Sequence, residues 1–318
     1  MSKPSRLAST VRIRSLLSLS AYVTSTADVA TYLADPDAEV RRTALALVVE
    51  ATEDWAGTTA AVSAALTDRD ASVRRLAIDL LRELGTFIEP SEIFDNAIRE
   101  AAAHNDADVR AAALAALWRQ SITSLGELRG WRSDPSPEVR QELVSAFVSF
   151  DGLTELIAMR TDTNPAVRQA VATGLGRLGD PRGAIAAAEL AVDNHVSVRV
   201  AALHALARTG LSNSAGEVAA KSITSAFWEV RAAAAGALGA ENRDFVLPAL
   251  ARAAADKNDE VRRAAVRTLA EKFPDHPIAH DLLTQASSDP DPAVAAYAKF
   301  GIGTRPRRTS AARRPITA

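Results

Sequence analysis

Two histidines, His276 and His280, lie four residues apart in the stretch DHPIAHDLL. On one face of a helix, this spacing would bring two imidazole rings toward the same metal ion. Pro277, however, is a residue typical of the first position of a helix, which would place His276 at the cap just outside it. We therefore interpret His276 as a capping residue and predict no metal site in this stretch.

Motifs for other common chemistries are missing from the sequence. Cysteine is absent, which excludes thiolate zinc sites, iron-sulfur clusters and cysteine nucleophiles. No HExxH, Walker A or GxGxxG motif occurs, so zinc-protease, P-loop and dinucleotide-binding functions have no support. The sequence predicts no catalytic residue, no cofactor and no metal.

Charge is distributed unevenly, although the formal net charge is only -2. Segments 1–27 and 304–318 contain basic residues and no acidic ones, so the middle of the chain is acidic. An acidic body argues against an extended nucleic-acid interface, because such binding depends on neutralising phosphates. We expect nucleic acid, if it binds at all, at the basic tail 304–318, whose composition predicts disorder.

A Val-Arg pair recurs along the chain at intervals of 28 to 36 residues. The arginines are Arg41, Arg74, Arg110, Arg140, Arg168, Arg199, Arg231 and Arg262, and a ninth copy has Ala295 in this place. Small or apolar residues follow at offsets three and seven, which lie on one face of a helix. A second apolar column precedes the arginine by twelve residues. Each copy is therefore predicted to contain two helices.

The turn between the two predicted helices usually contains an aspartate six residues before the arginine. These aspartates are Asp35, Asp68, Asp134, Asp162, Asp193 and Asp256, with Asp289 in the ninth copy. An arginine fork matches a carboxylate, so the acid and the arginine of neighbouring copies can pair. We interpret both columns as structural. Two copies depart from the pattern: His104 replaces the aspartate in the third, and Ser225 replaces it in the seventh.

The segments DPDAEVRR, DTNPAVRQ and DKNDEVRR resemble HEAT repeats, and LGDPRGAI at 178–185 is similar to the subtype named after phycobilin lyases. The resemblance covers residues 22–303. It implies an all-α fold, a right-handed α-solenoid of about nine two-helix repeats, in which the aspartates and arginines form a polar ladder. Residues 1–21 are expected to form a basic N-terminal segment and a capping helix, the helix lying around residues 7–23.

The resemblance also implies that the second helices line a concave surface, toward which offsets one, five and eight would point. Arginine and aromatic residues are common anchors of protein interfaces. The candidate partner-binding residues are Arg42, Arg75, Arg82, Trp118, Gln141, His204, Phe227, Trp228, Arg263 and Arg267. For Trp118 the alternative is packing at the irregular junction of the third and fourth repeats. For Phe227 and Trp228 it is packing on the preceding helix.

These observations favour a non-catalytic scaffold, or an accessory or regulatory subunit, that binds a protein or peptide partner as a monomer. No apolar run reaches the roughly 20 residues of a membrane helix, and arginine greatly outnumbers lysine, so we expect a cytoplasmic, bacterial protein. The resemblance leaves two alternatives, a lyase or chaperone-like factor of the phycobilin-lyase type and a DNA glycosylase. The glycosylase would need a basic channel, which an acidic body does not favour.

Overall fold

A computed structural model describes residues 6–51, 54–85, 91–210, 213–240 and 244–303 of the 318-residue chain. These described residues form α-helices joined by turns and short 3-10 helices, and no strand occurs among them. The predicted all-α class is confirmed. No described helix has the length and apolarity to cross a membrane. The predicted disordered tail, 304–318, lies outside the described residues.

The chain divides into two compact units, Met1–Phe150 and Asp151–Ala318. The first unit contains a single helix and four helix pairs, in which the second helix of each pair carries the Val-Arg motif. Its helices are α1 (Arg6–Ser18), α2 (Ala30–Leu33), α3 (Ala38–Ala51), α4 (Trp55–Ala65), α5 (Ala71–Leu84), α6 (Glu92–Ala101), α7 (Ala107–Arg119), α8 (Leu125–Leu128) and α9 (Pro137–Ser149).

The second unit contains five helix pairs, so the nine copies of the motif correspond to nine two-helix repeats. Its helices are α10 (Leu153–Ala158), α11 (Pro165–Leu178), α12 (Ala184–Leu190), α13 (Val196–Thr209), α14 (Asn213–Ser222), α15 (Trp228–Ala237), α16 (Leu247–Ala254), α17 (Asp259–Lys272), α18 (Pro277–Ala286) and α19 (Pro292–Gly303). In each unit the second helix of one repeat packs against the second helix of the next.

Helix α1 is shorter than the sequence predicted: it ends at Ser18, and the chain continues as a 3-10 turn at Ser20–Tyr22. Leu16 of α1 is fully buried in one cluster with Ala44 and Val48 of α3. The helix therefore covers the apolar face that the first repeat would otherwise expose.

Local sequence explains where the repeat helices begin. At α17, the side chain of Asn258 accepts hydrogen bonds from the backbone N–H groups of Glu260 and Val261, which have no partner inside the helix. Asp259 and Glu260 in the first turn and Lys272 in the last turn also complement the helix dipole. The turn residues thus fix the start of the helix that carries the arginine.

The second helices approach each other closely because small residues lie between them. At Gly176 on α11, a Cβ atom would come within 3.0 Å of the Cα atom of Ala205 on α13. Ala202 and Leu206, at offsets three and seven on α13, are fully buried. Alanine and glycine therefore set the distance between neighbouring repeats.

Arginine–aspartate pairs connect consecutive repeats within each unit, and we call this set of pairs the ladder. The Nε and Nη2 atoms of Arg231 donate to the two carboxylate oxygens of Asp256, at 2.6 and 2.9 Å. The same rung recurs between Arg41 and Asp68, Arg110 and Asp134, Arg168 and Asp193, and Arg262 and Asp289. Arg74 also pairs with Asp106, but its Nε and Nη2 atoms both donate to one oxygen of that carboxylate. Arg12 of α1, which follows Val11 as the ladder arginines follow a valine, adds a further rung with Asp35.

Each ladder aspartate also shapes its own turn. Asp256, for example, accepts a hydrogen bond from the backbone N–H of Asn258 at 2.9 Å. In the third repeat, two residues share these tasks: the Nδ1 atom of His104 accepts the turn hydrogen bond, and Asp106 binds Arg74. The replacement at position 104 therefore leaves the rung intact.

Adding a side chain at position 176 should destabilise the protein, whereas adding one at position 236 should not. Gly176→Val forces a side chain against the backbone of α13, and we expect a loss of about 1–3 kcal/mol in the free energy of unfolding. Gly236→Ala is the control, because an added Cβ there meets nothing within 4 Å and alanine favours a helix interior. Urea denaturation of both variants measures the difference, and equal stabilities would contradict the close approach.

Removing the charge of Asp256 should lower stability and flatten its dependence on pH. Because Arg231 is 7% exposed, Asp256→Asn leaves a buried guanidinium unpaired, which costs about 3 kcal/mol. The hydrogen bond from Arg231 lowers the pKa of Asp256. The ionised carboxylate of Asp256 thus adds to the free energy of unfolding above the unfolded-state pKa of about 4, and this contribution is lost as the pH falls through the folded-state pKa.

Denaturant unfolding of the wild type and of Asp256→Asn between about pH 2.5 and 7 tests both expectations. Glu271→Gln, which removes an exposed charge on α17, is the matched control and should keep wild-type stability and slope. If the free energy of unfolding depends on pH in the same way for the wild type and Asp256→Asn, the rung does not hold the repeats together.

Candidate functional site

The second unit contains an open hollow of about 720 Å³ between α11, α13 and the start of α15. Its floor consists of small residues at the points where the second helices approach each other. The lining residues are Gln169, Thr173, Gly176, Arg177, Val196, Ser197, Val200, Ala201, His204, Ala205, Arg208 and Glu229. Of these, His204 is one of the residues that the sequence singled out.

A second hollow of about 300 Å³ continues the first along α13, α15 and α17. The two hollows share Val200, His204 and Glu229, and the second adds Trp228, Ala232, Ala233, Glu260, Arg263, Ala264, Arg267 and Tyr297. We call this combined surface the groove. It brings together four sequence candidates: His204, Trp228, Arg263 and Arg267.

The groove presents more unpaired cations than unpaired acids. Arg177 and Arg267 are exposed, and neither has a carboxylate partner within the described part of the chain. Arg208 donates to the backbone oxygen of Gly176 at 2.8 Å. Arg263, by contrast, is held by Glu260 at 2.8 Å and by Asp291 at 3.4 Å. The surface therefore suits a ligand with negative charge.

His204 lies where the two hollows meet. Part of its imidazole ring is exposed to solvent because the groove is open. Partial burial between the groove walls, reinforced by the positive charge of Arg267, lowers the pKa of its imidazole. His204 is thus a neutral imidazole near neutral pH, able to accept as well as donate hydrogen bonds.

Sequence reasoning missed Arg177 and Arg208, which both lie nine residues after a ladder arginine. Offset nine was not among the positions expected to face the concave surface. The signal that could have found them is the recurrence of arginine at this offset in two neighbouring repeats. The prediction that residues at offset eight are exposed on the concave surface is wrong for Gly176 and Ala270. Both are buried because they pack against the next repeat.

Phe227 and Trp228 are both exposed, at 48% and 41% of their surfaces. Trp228 lines the second hollow. The ring of Phe227 lies over the guanidinium of Arg199 in the preceding repeat, with 5.4 Å between the ring centre and Cζ. The aromatic pair at this turn therefore reaches both the ladder and the groove.

Three candidate arginines lie in the first unit. Arg75 and Arg82 line a small hollow of about 160 Å³ together with Asp79, which lies 3.8 Å from Arg82. Arg42 is paired with Glu39 at 2.9 Å on the exposed surface of α3. Acidic neighbours within this unit thus already accompany Arg42 and Arg82.

Trp118 and Gln141 lie at the junction of the third and fourth repeats. The indole N–H of Trp118 donates to Glu142 at 2.8 Å, and the guanidinium of Arg119 lies 4.8 Å from the centre of its ring. Both Trp118 and Gln141 are half-buried. The hydrogen bond to Glu142 connects the third and fourth repeats at this junction.

His276 caps α18, as Pro277 predicted: its Nδ1 atom accepts a hydrogen bond from the backbone N–H of Ile278 at 3.2 Å. Its Nε2 atom lies 3.3 Å from a carboxylate oxygen of Asp244. Within the described ranges, no group of three or more histidine, aspartate, glutamate or cysteine side chains could hold a metal ion.

Comparison with known families supports the repeat assignment. A family model described as HEAT repeats matches residues 151–222 and 216–299, which lie in the second unit. That match identifies HEAT repeats in general and does not show the phycobilin-lyase subtype. Among curated protein sequences, no match to the chain was found.

Solved structures show the same type of fold. An engineered protein shares 18% identity with this chain over 95% of this chain and 96% of its own, with a TM-score of 0.54. YibA of Escherichia coli shares 16% identity over 77% of this chain and 92% of its own, with a TM-score of 0.55. At this identity the likeness concerns the fold alone.

Replacing Arg267 should raise the pKa of His204. Arg267→Gln removes the nearby positive charge but not the burial, so we expect a partial return toward the ordinary histidine value. Arg263→Gln is the control, because Glu260 and Asp291 already balance the charge of Arg263. NMR titration of the His204 ring signals measures the shift, and an equal response to both variants would contradict the contact with Arg267.

Proposed function

We propose that this chain, a HEAT-like repeat protein, is a scaffold that binds an extended segment of a partner protein in the groove of its second unit. The observation that carries the proposal is the continuity of the two hollows across five second helices, α11, α13, α15, α17 and, through Tyr297, α19. A long open surface of this kind suits a peptide or protein segment better than a small molecule.

The floor of the groove favours close approach by a partner backbone. Gly176, Val200, Ala201, Ala205 and Ala232 place little side chain between the ligand and the helices. A segment lying there would bury apolar surface, which contributes about 25 cal/mol per Å² before the costs of association. Shape and apolar contact would therefore supply affinity along the floor.

Larger side chains at the margins would supply specificity. Trp228 and Tyr297 offer aromatic surfaces beside the second hollow, and Arg177 and Arg267 offer unpaired guanidinium groups. Aromatic residues and arginine are common hot spots of protein interfaces. The acidic body of the chain argues against a long phosphate backbone as the ligand, which supports a protein partner over nucleic acid.

We propose that the chain acts by binding rather than by catalysis, as an accessory subunit or scaffold. The ionisable groups at the centre of the groove are His204 and Glu229, flanked by arginines. Glu260 at the margin is engaged by Arg263. This arrangement supplies charge and hydrogen bonds to a bound segment, and it supports the scaffold role that the sequence predicted.

Filling the groove should weaken the binding of a partner segment. Peptides selected from a random display library on the full-length protein serve as probes, and fluorescence anisotropy measures their affinity. Thr173→Trp places a large side chain in the first hollow and should weaken binding at least tenfold, about 1.4 kcal/mol. Ile185→Trp adds the same bulk at an exposed site on α12 that lies outside the groove lining and should leave affinity unchanged.

Thermal melting of both variants is the control that tests whether each is folded. Peptides that bind Thr173→Trp as tightly as the wild type, or that lose affinity in Ile185→Trp instead, would contradict the proposal. Selection of peptides that compete with duplex DNA for the same surface would favour nucleic acid as the ligand and would also contradict it.

A further inference from the structure

One position of the ladder lacks its carboxylate. Arg199 on α13 occupies the place of the ladder arginine, but the next repeat has Ser225 where most repeats have aspartate. No carboxylate within the described residues pairs with Arg199, whereas Arg168 in the preceding repeat and Arg231 in the next repeat both bind one. We call this position the open rung.

The guanidinium of Arg199 is nevertheless held in the ladder orientation. Its Nη1 atom donates to the backbone oxygens of Asp193 and Asn194, at 2.7 and 3.2 Å. Arg168 and Arg231 anchor their Nη1 atoms in the same way, to the oxygens six and five residues before them. Because the anchoring is the same, we expect the Nε and Nη2 edge of Arg199 to point toward the place that a carboxylate occupies beside Arg168 and Arg231.

The ring of Phe227 is a neighbour of Arg199, with its centre 5.4 Å from Cζ. An aromatic ring attracts a cation through its face but does not replace the paired, charge-assisted hydrogen bonds of a carboxylate. Among the described residues, no protein acceptor binds Nε or Nη2 of Arg199, so these two donors lack the partner that the neighbouring rungs supply.

The short side chain of Ser225 serves the turn alone. Its Oγ atom accepts a hydrogen bond from the backbone N–H of Phe227 at 3.3 Å, which is the turn hydrogen bond that aspartate accepts elsewhere. In the other rungs the aspartate also binds the arginine of the preceding repeat, and Ser225 does not bind Arg199 in this way. A carboxylate of a ligand can therefore take that place.

We infer that the open rung binds a carboxylate of the partner segment, the side chain of an aspartate or glutamate, through Nε and Nη2 of Arg199. This inference rests on the proposed function, because residues next to the open rung line the groove: Val200 follows Arg199, and Trp228 follows Phe227. A segment in the second hollow therefore passes beside the open rung. An apolar residue next to its acidic residue would cover the exposed ring of Phe227.

The neighbouring rungs define the geometry of this contact. In Arg168–Asp193 and Arg231–Asp256, the two oxygens lie 2.6 to 2.9 Å from Nε and Nη2. Such paired, charge-assisted hydrogen bonds are specific for a planar carboxylate. The unpaired cations Arg177 and Arg267 elsewhere in the groove add attraction for an acidic segment.

Restoring the missing aspartate provides the test. In Ser225→Asp, the chain itself should fill the open rung, as Asp193 and Asp256 do in theirs, and so exclude an external carboxylate. Thr224→Asp adds the same charge at the neighbouring exposed position, without the ladder register, and is the matched control. The probes are the blocked decapeptide of alternating Glu and Gly and its neutral counterpart of alternating Gln and Gly.

NMR of the arginine Nε–Hε groups in the full-length protein follows the binding. We expect the glutamate peptide, but not the glutamine peptide, to shift the Arg199 signal saturably. Ser225→Asp should shift that signal before any peptide is added and should weaken peptide binding at least tenfold. Thr224→Asp should weaken it much less. Equal binding of the glutamate peptide to the wild type and Ser225→Asp would overturn the inference.

The two proposals fail in different ways. If peptides selected on the groove lose affinity in Thr173→Trp but bind Ser225→Asp like the wild type, the groove function stands and the carboxylate inference is wrong. If the glutamate peptide loses affinity in Ser225→Asp but not in Thr173→Trp, the open rung binds carboxylates and the groove is not the surface that presents them.

Discussion

The bond between an arginine fork and the aspartate of the following repeat is the interaction on which each unit depends. Alanine and leucine supply apolar contact between neighbouring helices, but that contact is non-directional and tolerates sliding. The fork demands two oxygens in one plane, so it fixes the register of adjacent repeats. The same aspartate also accepts the turn hydrogen bond that begins its own helix. One side chain thus couples the local turn to the stacking of repeats.

The groove follows from the same packing. Small residues let the second helices approach closely, as at Gly176 and Ala205, and this leaves a broad surface with little side chain on its floor. Polar groups enter at positions that the ladder does not use, such as Arg177 and Arg267. Binding capacity therefore arises where a repeat departs from the shared pattern, and the open rung at Arg199 is the clearest departure because its neighbours show what is missing.

Much of the fold could be predicted from the sequence because it repeats. The Val-Arg column and the turn aspartate are visible as recurring residues. The buried positions three and seven residues after the arginine follow from helix geometry. Contacts that depend on particular side-chain orientations could not be predicted. Three such contacts join residues whose separation no repeat period predicts. They are the separate hydrogen bonds of His104 and Asp106, the hydrogen bond from Trp118 to Glu142 and the contact between Phe227 and Arg199. Likewise, the interval of 28 residues from Arg140 to Arg168 is the shortest between Val-Arg pairs and spans the division after Phe150, but a short interval does not by itself predict a boundary between two units.

Hydrogen exchange of the arginine Nε–H groups in the full-length protein without ligand tests the central claim most directly. If the forks hold the repeats together, the Nε–H groups of Arg168, Arg231 and Arg262 are protected by their aspartates and exchange slowly with solvent. That of Arg199 should exchange at the rate of an exposed guanidinium. Uniform protection of all four would show that the rung at Arg199 is already closed, and uniform rapid exchange would show that the ladder does not hold the repeats.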